Sequence, residues 1–312
     1  MDKILITPRY LSRNGHESLQ AFRDNGFDLL IPWPGRQPEH DELSAILPEC
    51  TGYLAGLEPI TADILCRAQR LKVICRYGVG LDNVDLEAAA QSHIRVLGTP
   101  GTNAEAVAEL SLMFIIALLR NVWMNAFAMK NGIWQRTKGT EASGRTLGII
   151  GCGHVGWRLA NMATGMGMKV IGCDPHPDEY MRKLPGFRFA DIADLQRYAD
   201  VISLNCPLTP EPIIDRKFIA ACRRGVCIVN TARALLVDEP SLLEALESGM
   251  VSGYATDVYA TEPPELTPLY QHERVFLTPH IGALTDESVD RTIDAAVKNM
   301  LDVLCECHTG KL

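Results

Sequence analysis

A short apolar run followed at once by three closely spaced glycines constrains the fold of this chain more than any other stretch. Residues 146–150 (TLGII) are mostly apolar and partly β-branched, which predicts a buried strand. Gly151, Gly153 and Gly156 then follow in the order G-x-G-x-x-G. Residues 154–164 carry apolar side chains at helical spacing. The segment therefore predicts a strand, a tight glycine turn and a helix.

Each glycine has a separate physical task in such a turn. Gly151 permits the tight turn off the strand, Gly153 lets a pyrophosphate approach the backbone, and Gly156 lets helix and strand pack closely. The first N–H groups of the helix, where His154 and Val155 lie, carry the positive end of the helix dipole and bind phosphates. The turn therefore predicts a dinucleotide site. The alternative is a glycine turn inside an ordinary α/β domain.

The next predicted strand ends in an acidic residue. Residues 169–173 form a second apolar run, and Asp174 follows it, 18 residues after Gly156. A carboxylate at this place accepts hydrogen bonds from both hydroxyls of a ribose and repels a 2′-phosphate. We therefore predict NAD rather than NADP as the cofactor. The strand, the helix and the acid at this distance are the context that distinguishes the fingerprint from a chance match.

The composition argues against several other classes of protein. The 312 residues suit two domains, and 47% apolar with 22% charged residues is the balance of a soluble globular protein. The net charge of −8, without a basic block, argues against nucleic acid or a membrane surface as a partner. The acidic Asp2 argues against a signal peptide, and the longest apolar run, 110–119, is too short to span a bilayer.

The ten cysteines contain no C-x-x-C pair, and several of them, such as Cys75 and Cys227, lie inside apolar strands. Cysteines of this kind behave as small buried hydrophobes in a reducing compartment, so we predict a cytoplasmic protein. Cys305, Cys307 and His308 form a small C-terminal cluster of soft ligands. We interpret this cluster as accidental and predict no metal site.

Strands alternate with helices in two stretches of the chain, 1–99 and 146–280, which implies parallel sheets with helices on both faces. Besides the two already described, strands are predicted at 3–7, 28–31, 52–55, 71–75, 94–97, 201–205, 226–230, 252–257 and 275–278. Residues 102–131 predict one long helix that is apolar on more than one face. Such a helix is typical of a larger core or a subunit interface.

Three polar residues suit proton transfer and substrate binding. His280, Glu262 and Arg233 each lie just past a predicted strand. Ligands of an open α/β sheet sit at the C-terminal ends of its strands, so these side chains are candidates for one site. Hydride chemistry at a nicotinamide needs a base, a partner that orients the base, and a cation for the substrate. Singly, each residue has a plainer interpretation as a helix cap, a loop charge or a surface arginine.

Eight stretches, in order along the chain, resemble one enzyme family. They are RYGVGLDNVD (76–85), GTNAEAVAE (101–109), the G-x-W-x-R pattern at 132–136, the glycine fingerprint, CPLTPE (206–211), NTARALLVDE (230–239), YATDVYATEPP (254–264) and TPHIGA (278–283). The chain resembles the D-isomer-specific 2-hydroxyacid dehydrogenases, and most closely their phosphoglycerate-dehydrogenase-like branch. The resemblance covers nearly the whole chain.

The resemblance implies a role for each candidate residue. The arginine matching Arg233 holds the substrate carboxylate and the reacting oxygen, and the histidine matching His280 is the general acid/base. The glutamate matching Glu262 hydrogen-bonds to that histidine, and the aspartate matching Asp257 contacts the nicotinamide carboxamide. These roles are physically reasonable, because arginine binds a carboxylate in a two-pronged way and a carboxylate beside histidine favours the imidazolium.

The resemblance also implies the remaining contacts and the domain organisation. The loop at Gly78 and Val79 receives the substrate carboxylate, and Arg76 and Tyr77 complete the predicted substrate site. Further cofactor contacts are expected at Cys206, Pro207, Thr231, Ala232 and Gly282. The implied fold has two doubly wound parallel-sheet domains. A flavodoxin-like substrate domain combines 1–99 with 285–312, and a Rossmann NAD-binding domain spans 100–284. The 102–131 region implies a homodimer.

Departures from the family pattern bear on the substrate. Ala234 replaces the glycine that usually follows the catalytic arginine, and Tyr77 replaces a small residue after Arg76. The loop after the third strand often carries a basic residue in the phosphoglycerate branch, but here it carries Glu58. Because phosphate binding favours cations, we hypothesise a small unphosphorylated 2-hydroxy or 2-oxo acid as the substrate. The alternatives are a 3-phosphoglycerate dehydrogenase and a non-catalytic NAD(H)-sensing scaffold.

Overall fold

The structure is a computed structural model that describes residues 2–308, with the backbone alone at 307 and 308. The chain divides into two compact units, Met1–Asn103 with Thr285–Leu312, and Ala104–Leu284. The sequence predicted a junction between residues 99 and 100, four residues before the point between Asn103 and Ala104 where the chain passes from the first unit to the second. The side chains of Cys307 and His308, two members of the cluster interpreted as accidental, lie outside the described part of the chain.

The first unit is built on a five-stranded parallel sheet. Its strands are β1 (Lys3–Ile6), β2 (Asp28–Leu30), β3 (Gly52–Ala55), β4 (Val73–Arg76) and β5 (Arg95–Leu97). Its helices are α1 (Arg9–Asn14), α2 (Gln20–Asp24), α3 (His40–Ile46), α4 (Ala62–Arg67), α5 (Leu86–Gln91) and the C-terminal α13 (Asp286–His308). The strand order is β2-β1-β3-β4-β5, and every neighbouring pair is parallel.

The central strands of this sheet are apolar on both faces because both faces are covered. Leu54 of β3 packs in one apolar layer with Ile293 and Met300 of α13. Tyr53, the preceding residue, packs in the other layer with Ile64 of α4. Successive side chains of a strand point to opposite faces, so a strand covered on both sides is a continuous apolar run in the sequence.

The second unit is built on a seven-stranded parallel sheet. Its strands are β6 (Thr146–Ile150), β7 (Lys169–Cys173), β8 (Phe187–Phe189), β9 (Val201–Leu204), β10 (Val226–Asn230), β11 (Val251–Thr256) and β12 (Val275–Leu277). Its helices are α6 (Ala104–Arg120), α7 (Val122–Lys130), α8 (His154–Gly165), α9 (Ile192–Tyr198), α10 (Arg216–Ala221), α11 (Glu239–Glu247) and α12 (Pro268–Gln271).

The strand order of the second sheet is β12-β11-β10-β9-β6-β7-β8, so the chain reverses its direction of growth between β6 and β9. Phe114 of α6 and Leu159 of α8 cover one face, in the same apolar layer as Ile149 of β6. Leu195 of α9 covers the other face, in the same apolar layer as Ile150 of β6. Two parallel sheets with helices on both faces confirm the predicted fold class. Ligands of such sheets bind beside the C-terminal ends of the strands at the reversal point.

The prediction of one helix over 102–131 is wrong. The structure has α6 and α7 instead, and their axes are bent by 73°. The break is at Asn121, which adopts the left-handed conformation with φ 51°. Asparagine tolerates this conformation better than most residues, so it ends α6 without a glycine or proline. In the described part of the chain no single helix is long and apolar enough to cross a membrane, although this bent pair passes that test jointly.

The C-terminal helix α13 contributes to the core of the first unit. Ile293 is fully buried there, whereas Lys298 of the same helix is exposed. Ile293→Ala should lower the free energy of unfolding by about 2–5 kcal/mol, because it removes transfer free energy and leaves a cavity. Lys298→Ala, the matched control, should change it by less than about 0.5 kcal/mol. Equal denaturant midpoints for the two variants would contradict this packing.

Candidate active site

The glycine turn between β6 and α8 has no room for side chains at two of its three glycines. Gly151 has φ 93°, and a Cβ there would lie 2.6 Å from the Cys206 nitrogen. A Cβ on Gly156 would lie 2.2 Å from the carbonyl oxygen of Gly151. Both contacts are with backbone that has no freedom to move aside. The turn and the packing of α8 against β6 therefore require glycine at both positions.

Gly153, the third glycine, faces open space. It caps α8 with φ −73°, and nothing lies within 4 Å of the position of a Cβ. No side chain of the described residues caps this helix, whereas Asp191, Asp215 and Asp238 cap α9, α10 and α11. The N–H groups around His154 are therefore left for an external acceptor. A helix N-terminus of this kind is a site for phosphate.

The acid that follows β7 is fixed beside the glycine turn. The backbone N–H of Cys152 donates to Asp174 Oδ2 at 2.7 Å, and the N–H of His176 donates to Oδ1 at 2.8 Å. The carboxylate thus lies next to the residues that are expected to bind the pyrophosphate. This is where an acid that contacts the ribose hydroxyls is required.

The loops after β9 and β10 continue the same edge of the sheet. Cys206 and Pro207 follow β9 and are partly or fully exposed. Thr231 and Ala232 follow β10, and the hydroxyl of Thr231 lies 2.8 Å from that of Ser111 in α6. These four of the expected cofactor contacts therefore lie at the C-terminal ends of β9, which borders the reversal point, and of β10 beside it.

Arg233 lies in a loop that Asn230 shapes. The Asn230 side chain is fully buried; it accepts from the N–H of Ala232 at 3.0 Å and donates to the carbonyl of Arg233 at 2.8 Å. Arg233 Nη1 donates to the carbonyl of Ala232 at 2.8 Å. We did not predict Asn230 from the sequence. Its position as the last residue of an apolar strand was the available signal.

His280 and Glu262 form a hydrogen-bonded pair beyond β12 and β11. The distance between His280 Nδ1 and Glu262 Oε1 is 2.6 Å, and the side chains are 39% and 27% exposed. His280 has φ 52°, which is unusual for a residue other than glycine and is found preferentially at functional sites. The pair uses Nδ1, so Nε2 is the ring nitrogen that a substrate can meet. Asp257, five residues before Glu262, is buried. Its Oδ2 accepts from the N–H of Gly282 at 2.7 Å.

The comparisons with known proteins decide the family. The model of the D-isomer specific 2-hydroxyacid dehydrogenase, NAD binding domain, matches residues 112–282, more than half of the chain. The chain belongs to this family. The match includes the glycine turn, Asp174 and the His280–Glu262 pair. NAD is accordingly its cofactor.

The curated relatives of this chain carry two different enzyme names. The chain is 38% identical to human D-3-phosphoglycerate dehydrogenase over 269 residues, which is 85% of this chain and 50% of that protein. It is 40% identical to the hydroxypyruvate reductase of Thermotoga maritima over 261 residues, which is 81% of this chain and 84% of that protein. The chain thus spans about half the length of the D-3-phosphoglycerate dehydrogenases it matches.

Solved structures agree with this family assignment. The TT0316 protein of Thermus thermophilus superposes with a TM-score of 0.86 at 34% identity, over 97% of both chains. A glyoxylate reductase from Paecilomyes thermophila superposes with a TM-score of 0.85 at 27% identity, over 96% of this chain and 94% of that chain.

The expected substrate residues lie in the first unit, whereas Arg233 and the His280–Glu262 pair lie in the second. Arg76 ends β4; its side chain is buried, and Nε donates to Asn83 Oδ1 at 3.1 Å. The same guanidinium donates to the carbonyl of Tyr77. Gly78 has φ 143°, and Val79 is exposed. Within the described part of the chain, no group of three or more histidine, cysteine or acidic residues is placed to hold a metal ion.

Gly153 offers a direct test of the cofactor site. Gly153→Ala should weaken NADH binding at least tenfold, because the methyl group fills the space expected for the pyrophosphate. It should cost about 1 kcal/mol of stability or less, since it only alters a helix cap. Gly165→Ala, at the exposed end of the same helix with nothing within 4 Å, is the matched control and should leave NADH affinity unchanged. Fluorescence titration with NADH measures both, and equal affinities would contradict the assignment.

Proposed function

We propose that the protein is an NAD-dependent dehydrogenase that interconverts a small 2-oxo acid and its D-2-hydroxy acid. The observation that carries this proposal is the His280–Glu262 pair, in which Nδ1 and Oε1 are 2.6 Å apart. His280 has a left-handed backbone conformation and lies in the unit that contains the glycine fingerprint. We further propose that the first unit is the substrate domain and the second the NAD-binding domain. The cysteine pattern supports a reducing, cytoplasmic location as part of the same proposal.

In the proposed mechanism the chain binds the substrate and moves one proton. Arg233 binds the carboxylate and the reacting oxygen of the 2-oxo acid through its planar guanidinium. During reduction, His280 Nε2 donates a proton to that oxygen as hydride arrives at the carbon, and it accepts the proton during oxidation. Glu262 holds the ring in place through Nδ1 and leaves Nε2 for the substrate. The reaction consumes one 2-oxo acid, one NADH and one proton.

The proposed substrate is unphosphorylated, and Glu58 supports this choice. The Glu58 residue is only 2% exposed; its Oε1 accepts from the Tyr53 hydroxyl at 2.5 Å and from the N–H of Gly56 at 2.8 Å. Burial, helped by this carboxylate, holds the pKa of Tyr53 well above its usual value, so the phenol remains a donor. The end of β3 thus carries a fixed acid, where a phosphate would favour a cation. Relatives named D-3-phosphoglycerate dehydrogenase keep the phosphorylated substrate as the alternative.

The activity is tested by mixing the protein with NADH and glyoxylate, pyruvate, hydroxypyruvate or 3-phosphohydroxypyruvate and following absorbance. We expect turnover with an unphosphorylated acid, and a loss of at least about 100-fold in kcat with His280→Ala or Arg233→Ala. His272→Ala, a histidine of the same unit outside the site, is the matched control. A higher kcat/KM for 3-phosphohydroxypyruvate would favour the alternative enzyme. Tight NADH binding without any turnover would favour the sensing scaffold.

We also propose a homodimer formed through α7 and the segment that follows it. This region exposes five large apolar side chains: Val122, Phe127, Met129, Ile133 and Trp134. Phe127 is 73% exposed and Trp134 is 78% exposed. Several exposed apolar residues of this size within one short stretch of the chain favour a surface that binds a protein. A second copy of the chain is the occupant we propose, because the resemblance to the family implies dimers.

The dimer is tested by sedimentation of Phe127→Ser and Trp134→Ser variants. Each should raise the dissociation constant of the dimer at least about tenfold, because aromatic residues dominate interface energies. Leu266→Ser is the matched control, since Leu266 is a 63% exposed apolar residue of the same unit outside this region. A monomeric wild-type protein at micromolar concentration, or variants that dimerise as the wild type does, would refute the proposal.

A further inference from the structure

The turn that carries His280 is wrapped around one buried carboxylate. Asp257 is 2% exposed and directly follows β11. Its Oδ1 accepts from the hydroxyl of Thr278 at 2.5 Å and from the N–H of Ile281 at 2.8 Å. Its Oδ2 accepts from the N–H of Gly282 at 2.7 Å. The three donors come from both sides of His280, so the carboxylate fixes both ends of the turn.

The backbone at His280 needs such support. Its φ of 52° lies in the left-handed region, which a residue with a Cβ occupies only when the surrounding structure imposes it. The N–H of His280 donates to the carbonyl of Thr278 at 3.0 Å, and the hydroxyl of Tyr259 donates to the same carbonyl at 2.7 Å. These two contacts hold His280 and the residues before it. Asp257 is the group that also binds the residues after it.

The carboxylate is seated directly against the backbone of the turn. A Cβ on Gly282 would lie 2.9 Å from Asp257 Oδ2, so this approach relies on a residue without a side chain. Hydrogen bonds to an ionised acceptor are about twice as strong as those between neutral groups. Three of them, given to one buried acid, are therefore well suited to hold an otherwise unfavourable backbone conformation.

We propose that Asp257 and Thr278 form a clamp that holds His280 in its left-handed conformation and aims its ring at the substrate. In this proposal both are positioning residues that act through His280, and the inference rests on the proposed acid/base role of that histidine. It differs from the role that the resemblance implies for Asp257, which is a contact with the nicotinamide carboxamide. The two roles predict different effects on cofactor affinity.

Asp257→Asn tests the clamp in two ways. The amide keeps the shape and one acceptor but presents an NH2 group to a donor, so at least one bond of the clamp is lost. In the cofactor-free protein, hydrogen exchange of the peptide spanning residues 279–284 should become at least tenfold faster. The value of kcat should fall roughly 100-fold, as expected when a catalytic group is displaced by about 1 Å. The Kd for NADH should stay within threefold of the wild-type value.

Thr278 tests the same clamp without touching the acid. Thr278→Val removes the hydroxyl and should lower kcat roughly tenfold with faster exchange of the same peptide, whereas Thr278→Ser should restore both to within twofold. This pair decides the question even if Asp257→Asn fails to fold. Thr164→Val is the matched control, because it makes the same substitution at a threonine in the last turn of α8, in the same unit, where the hydroxyl donates to the carbonyl of Asn161 at 3.0 Å. It should change neither quantity.

Two results would overturn the clamp. One is a loss of NADH affinity in step with kcat in Asp257→Asn, with the exchange of the turn unchanged, because that pattern belongs to a cofactor ligand. The other is a Thr278→Val variant with wild-type kcat and exchange. If the wild-type protein reduces none of the 2-oxo acids, the proposed function fails instead. The exchange measurements on Asp257→Asn and Thr278→Val then still accept or reject the clamp.

Discussion

The cofactor half of the second unit depends on the close approach of two backbone segments, the start of α8 and the end of β6. The approach is possible only because Gly156 has no side chain to meet the carbonyl of Gly151. This close approach brings the first turn of α8 to the reversal point of the sheet. No side chain of the described residues caps that turn. Cys152 lies between these glycines, and burial raises the pKa of its thiol to about 12. The thiol is therefore neutral, and it places no negative charge beside a bound phosphate.

The strands of the sheets were predictable because a strand that is buried on both faces is an unbroken apolar run in the sequence. β10 occupies 226–230, the range predicted from its unbroken apolar run. β8 was missed because it has only three residues and carries a charged one, Arg188, between two aromatic residues. The break between α6 and α7 was missed for a different reason. Asn121 adopts a left-handed backbone conformation that asparagine tolerates but that its presence alone does not predict. The residues around it continue the apolar pattern.

The candidate site was predictable only in part. The position of a polar residue just after an apolar strand, together with the family resemblance, singled out His280 and Glu262, and the structure brings them to 2.6 Å. The contacts of Asn230 and Thr278 were not predictable in the same way. Each side chain bonds to atoms whose placement depends on the path of a loop, and that path follows from packing rather than from local sequence. Residues that hold a site are therefore harder to recognise than residues that form it.

The two acids on the segment after β11 show how burial divides the work of one site. Asp257 and Glu262 are five residues apart, yet the first is 2% exposed and the second has a side chain that is 27% exposed. A buried carboxylate keeps its place only by accepting several donors, so Asp257 suits the fixing of backbone. A carboxylate that is partly exposed to solvent can adjust its hydrogen bonds when the charge of its partner changes. Glu262 therefore suits a histidine that gains and loses a proton. Environment, rather than residue type, separates the two roles.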